Sequence, residues 1–104
     1  MKVNICGIKH DIIECDDNFD ADATHFGQID YKNGTIKING DMPDVMKKET
    51  ICHEMVHGML IHLGYAKEAE DEQYVQALGN AIMQGFEIKD VEGDAESAEH
   101  FWKH

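Results

Sequence analysis

His53-Glu54-Met55-Val56-His57 restricts the fold more than any other stretch of this chain, because its spacing acquires meaning only on a helix. Residues four apart on a helix lie about 40° apart around its axis, so both imidazoles can turn a nitrogen toward one metal ion. Glu54, between them, would then sit beside the metal without ligating it. There it could take a proton from a metal-activated water and return it to a leaving group. The residue types and spacing therefore predict a zinc hydrolase site, most often a peptidase, built on a helix that must find a third ligand elsewhere.

The segment has the required helical pattern. From about Asp44 to Leu63, with Pro43 at its start and Gly64 as its stop, Val45, Cys52, Val56, Met59 and Leu63 form one apolar stripe. Ile51, Met55 and Gly58 fall on nearly the opposite side, so the helix is expected to be central, covered on two faces. His53 and His57 lie between those faces, beside Thr50, Glu54 and Ile61.

Ahead of this helix, Lys2–Ile5 and Ile8–Glu14 alternate as two short strands turned at Gly7. Gly27–Tyr31 and Thr35–Asn39 form a hairpin across Lys32-Asn33-Gly34, where Asn-Gly is a strong turn signal. The acidic stretch Asp16–Asp22 reads as a loop. After the helix, a second one is predicted from about Ala69 to Gln84, with Val75, Leu78, Gly79, Ile82 and Phe86 on one stripe. A short connection makes the two helices antiparallel neighbours.

That geometry narrows the third ligand. With the turn near Ala66, the residues level with His53–His57 on the returning helix are about Glu72–Asn80, and Glu72 is the carboxylate in that window. Glu68, Glu70 and Asp71 stay as alternatives nearer the turn, where negative charge at a helix N-terminus is also favourable for its own sake. His62 lies about 140° from His57 and cannot share its metal on an unbroken helix. An HExxHxxGxxH metzincin would need Gly and His where Leu60 and Leu63 stand, and an RNA-cleaving HxxxHxxxxxH protein also fails at Leu63. Tyr65 and Tyr74 are candidates for stabilising an oxyanion, and His10 and His25 are expected to be exposed or locally bonded.

The chain of 104 residues suits one modest core, read as a single domain over residues 1–104. A formal net charge of −12 argues against nucleic acid and anionic membranes as partners, and favours a peptide or protein substrate. No signal-peptide core and no transmembrane-length apolar run is visible. Cys6, Cys15 and Cys52 are odd in number and lack CxxC spacing, which points to a reducing, cytoplasmic setting. Residues 90–104 read as an acidic tail, flexible or docked through Phe101 and Trp102. Its Glu96, Glu99, His100 and His104 are potential ligands that could restrain the site.

Thr50-Ile51-Cys52-His53-Glu54-Met55-Val56-His57-Gly58, followed by Asp71-Glu72-Gln73-Tyr74-Val75-Gln76-Ala77-Leu78-Gly79-Asn80, resembles the small gluzincin-type metallopeptidases of the ImmA/IrrE kind, found in phages and bacterial mobile elements. The resemblance covers roughly residues 26–84. It implies Zn2+ held by His53, His57 and Glu72, Glu54 as the base, and an outer strand that pairs with an extended substrate. Some members of that family act on repressors or other regulators. This chain lacks the helix-turn-helix and C-terminal regions that accompany some relatives. The expected architecture is α+β and zincin-like: a small twisted sheet, a central HExxH helix and an antiparallel returning helix. A non-catalytic, metal-stabilised regulatory or binding module would use the same ligands.

Overall fold

In the computed structural model, residues 1–15 and 27–92 are described. The first hairpin pairs β1 (Lys2–Ile5) antiparallel with β2 (Ile8–Cys15). Its two-residue turn, Cys6-Gly7, has positive φ at both positions (50° and 85°), the combination that matches the twist of a tight hairpin. β3 (Gly27–Asp30) and β4 (Thr35–Asn39) form the second, antiparallel hairpin. Its turn is held by Asp30, whose Oδ1 accepts from the backbone N–H groups of Lys32 and Asn33 at 3.1 Å each. Asp30 Oδ2 accepts from Asn33 Nδ2 at 2.8 Å.

The two hairpins join through a parallel pairing of β2 with β4, giving one mixed four-stranded sheet in the order β1-β2-β4-β3. Among the described residues, β4 is therefore interior and β3 is an edge. Alternation puts Val3, Ile5, Ile36 and Ile38 on the helix-covered face, while Lys9, Asp11 and Ile13 of β2 are exposed, as expected of a sheet packed on one side.

Asn39-Gly40-Asp41 ends the sheet: Asn39 Oδ1 accepts from the Asp41 N–H at 2.9 Å. Pro43 then caps α1 (Asp44–His62), where it needs no N–H, and Asp44 adds negative charge to the first turn. The helix stops in a Schellman arrangement. Tyr65 N–H donates to Leu60 O at 2.7 Å and Gly64 N–H to Ile61 O at 3.1 Å, with Gly64 at φ +89°.

A one-turn helix not foreseen in the sequence, α2 (Ala66–Ala69), precedes α3 (Glu72–Gly85). α3 thus begins three residues later than its apolar pattern predicts. Asp71 is its N-cap, accepting from the Tyr74 N–H at 3.1 Å, and a carboxylate there satisfies a donor that no residue inside the helix can reach.

The expectation of a central helix covered on two sides holds. Ile51 packs with Val3, Ile5, Ile36 and Ile38 of the sheet, while Cys52, Val56 and Leu60 pack with Ala69 and Val75. Gly58 faces the sheet so closely that a Cβ there would stand 3.0 Å from Ile5 Cδ1 and 3.1 Å from Ile29 Cδ1. Three residues assigned to apolar stripes are instead exposed: Val45 and Leu63 at the ends of α1, and Phe86 just past α3.

His10 is locally bonded, the second of its two expected outcomes, and is not exposed. It is fully buried, its Nδ1–H donates to Ile8 O at 2.9 Å, and its Nε2 has no hydrogen-bond partner. The start of the C-terminal segment is docked: Val91 is buried, its N–H donates to Lys2 O at 2.8 Å, and Lys2 N–H donates to Asp90 Oδ1 at 3.1 Å. The acidic loop, His25 and the potential ligands of the tail lie outside the described residues. Among the described residues, no helix is long and apolar enough to cross a membrane.

Candidate metal centre

Regular helix from Asp44 to His62 places His53 and His57 one turn apart in the middle of α1, pointing toward the first turn of α3. Glu72 is the first residue of that helix and reaches back between them. His53 Nε2 lies 2.8 Å from Glu72 Oε2, His57 Nε2 lies 3.0 Å from Glu72 Oε1, and the two Nε2 atoms are 3.2 Å apart. Among the described residues these three form the group whose donor atoms converge.

The spacing and the donor chemistry both suit a small divalent ion. Ligands about 2.0–2.2 Å from a tetrahedral ion are separated by roughly 3.3–3.5 Å; here one donor atom from each residue can be chosen so that all three lie within 4.8 Å of one another, and the two short contacts to Glu72 fall on its two different oxygens. Two imidazole nitrogens and one carboxylate are also the donor types of a borderline-soft cation such as zinc.

The group opens on one side. The His53 and His57 side chains are 18% and 11% exposed, whereas that of Glu72 is 68% exposed. Partial desolvation opposes ionisation of Glu72, but the His53 hydrogen bond and the charges of both histidines outweigh it and hold its carboxyl below the ordinary value.

Glu54 is buried. A Cβ built on Gly27, the first residue of edge strand β3, would lie 3.5 Å from Glu54 Cγ, so the base predicted from the motif stands between the helix and that edge. Glu68 and Glu70 lie in and after α2, and Asp71 is occupied as the N-cap of α3. The carboxylate that converges is Glu72.

Two residues of the site are absent from the expectations. Gln76 Oε1 accepts from His53 Nδ1 at 2.8 Å. Tyr31, in the turn after β3, is the other: burial, and then the negative charges of Glu54 and Glu72, push its phenol up from the ordinary value, so both carboxylates are within electrostatic reach. Continuing the alternation Gly27, Ile29, Tyr31 past the end of the strand was the available signal. Tyr65 and Tyr74, the tyrosines expected near the chemistry, are both exposed. His62 lies against His10, with ring centroids 6.3 Å apart, and not in the cluster.

Comparison with known proteins gives no matching family model, no matching curated protein and no matching solved structure.

Proposed function

We propose that this chain is a small zincin-like metallopeptidase of the gluzincin, ImmA/IrrE-like type, which binds zinc through His53, His57 and Glu72 and hydrolyses peptide bonds in a cytoplasmic protein or regulator. The observation that supports it most is the convergence of the two histidine Nε2 atoms, 3.2 Å apart, with the two carboxylate oxygens of Glu72, 2.8 and 3.0 Å from them, assembled from an HExxH helix and a carboxylate on the returning helix. Bound there, zinc supplies Lewis acidity, polarising a carbonyl and lowering the pKa of a water molecule.

The protein's own residues divide the remaining work. Glu54 accepts the proton of the attacking water and passes it to the departing amine, so no covalent nucleophile is needed. The Tyr31 phenol, protonated at neutral pH like any tyrosine, can donate a hydrogen bond to the developing oxyanion. β3 is a sheet edge whose first residue adjoins Glu54, which supports an extended substrate laid along that strand by main-chain hydrogen bonds. The formal charge of −12 favours a peptide that is not itself strongly acidic. All three cysteines are free thiols, in keeping with a reducing compartment.

The test is a comparison of wild type with Glu54→Gln on a library of fluorescence-quenched peptides, alongside metal analysis of both. Glutamine keeps the shape but cannot accept the proton, so zinc content should persist and hydrolysis should vanish. Equal turnover by the two proteins would refute the mechanism. Zinc retained by both with no hydrolysis by either would instead favour the metal-stabilised binding module.

A further inference from the structure

α3 presents Glu72, Gln76 and Asn80 at successive four-residue intervals, hence along one face. Only the first of these touches both histidines. Gln76 reaches the far side of the His53 ring, where Oε1 stands 2.8 Å from Nδ1, and its Nε2 donates to Asn80 Oδ1 at 3.0 Å. We infer that Gln76, oriented by Asn80, is a positioning residue that fixes His53 as the tautomer whose unprotonated Nε2 faces the metal. This inference rests on the metal-centre reading above.

A carboxamide has one accepting and one donating end, and the two have opposite consequences here. With Oε1 toward the ring, Nδ1 must carry a proton, and once a cation replaces the proton shared between Nε2 and Glu72, Nε2 offers its lone pair to that ion. With the amide reversed, Nδ1 would have to accept, and the proton would move to Nε2. It would then sit where a cation must bind. Asn80 matches the first arrangement: its Oδ1 accepts a hydrogen bond from the Nε2 end of Gln76.

The choice of an amide has a second consequence. A carboxylate in this place would raise the basicity of His53 and bind the ion more tightly, whereas Gln76 orients the ring and adds no charge. Glu72 is thus the one formal negative charge among His53, His57, Glu72, Gln76 and Asn80. The centre is arranged for order more than for maximal affinity.

The competing explanation is a surface amide pair that steadies one turn of helix. Two measurements on the full chain separate them. The first is zinc affinity by competition with a chromophoric chelator. Gln76→Ala should weaken binding by about 10- to 100-fold, the usual cost of removing such a partner, and Gln76→Glu, which keeps an acceptor, should match or exceed wild type. Asn80→Asp should retain affinity, while Asn80→Ala should lose part of it.

The second is a long-range 1H–15N imidazole spectrum of the metal-free Glu72→Ala protein at mildly alkaline pH, in which no carboxylate at position 72 competes for the Nε2 proton. His53 should be protonated at Nδ1 in that background and shift toward Nε2 protonation when Gln76→Ala is added. A folded Gln76→Ala protein with wild-type zinc affinity, or a His53 protonated at Nε2 in Glu72→Ala, would overturn the inference. Zinc binding indifferent to His53→Ala and His57→Ala would overturn the metal-centre reading, and the metal-free spectrum would still decide the role of Gln76.

Discussion

Gly27→Ala tests how tightly edge strand β3 is held against the metal helix. The added Cβ would stand 2.6 Å from Thr50 Cγ2 and 3.1 Å from Lys37 O. Carbon pairs prefer about 3.5–4.0 Å, so the first contact is short by roughly 1 Å. Thr50 is β-branched within a helix and has few rotamers in which to withdraw. The second obstacle is backbone of the neighbouring strand and cannot rotate away. The strand must therefore shift, and an overpacked contact of this kind costs about 1–3 kcal/mol. Reduced freedom of the unfolded chain returns about 0.4–1 kcal/mol when Gly becomes Ala. The net expectation is a destabilisation of about 1–2 kcal/mol, or a Tm lower by roughly 5–15 °C, read by circular dichroism melting. Thr50→Ser removes the methyl group that clashes, so the double variant should recover part of the loss, with a coupling of about 0.5 kcal/mol or more. An unchanged or higher Tm for Gly27→Ala would refute the close packing. A loss that Thr50→Ser does not relieve would refute the assignment to Thr50.

Two further outcomes follow from other parts of the structure. Glu72→Ala should bring zinc content close to background while leaving the fold intact, because the residue is exposed and contributes one of three ligands; metal analysis showing full occupancy would move the third ligand elsewhere. At the β3–β4 turn, hydrogen bonds from Asn33 hold the Asp30 carboxyl below its ordinary value, so ionised Asp30 is favoured in the folded state. Its contribution is complete above the ordinary carboxylate range and is lost as pH falls through the lower, folded value. Asp30→Ala should thus be less stable than wild type at neutral pH, and the gap should close in acid. A gap that persists unchanged in acid denaturation curves would show that the carboxylate charge is not involved.

How much of this was legible in the sequence depended on how local each relation is. His53 and His57 needed only helix periodicity, and α1 supplies it without interruption from Asp44 to His62. Glu72 needed one further step, the reversal of the chain at Gly64, and counting back along the returning helix reached it even though α2 intervened. The parallel pairing of β2 with β4 had no such signal. It joins strands from separate hairpins, and nothing in either alternation states which edge will meet which.

That pairing changes how the sheet can be used. It puts β4 in the interior, so a proline at Thr35 or Lys37 would break the sheet before it could report on peptide binding, and an incoming strand must be sought along β3. His10 had a signal that its polarity obscured: it shares the alternation of Ile12 and faces inward with it. Gln76 had the faintest of all, since an amide one turn beyond a ligand is common on helix surfaces. What distinguishes it is the pair of contacts it makes, to His53 and to Asn80. Ligands are thus readable from charge and spacing, whereas the residue that sets a ligand's proton becomes visible only when both ends of its amide have partners.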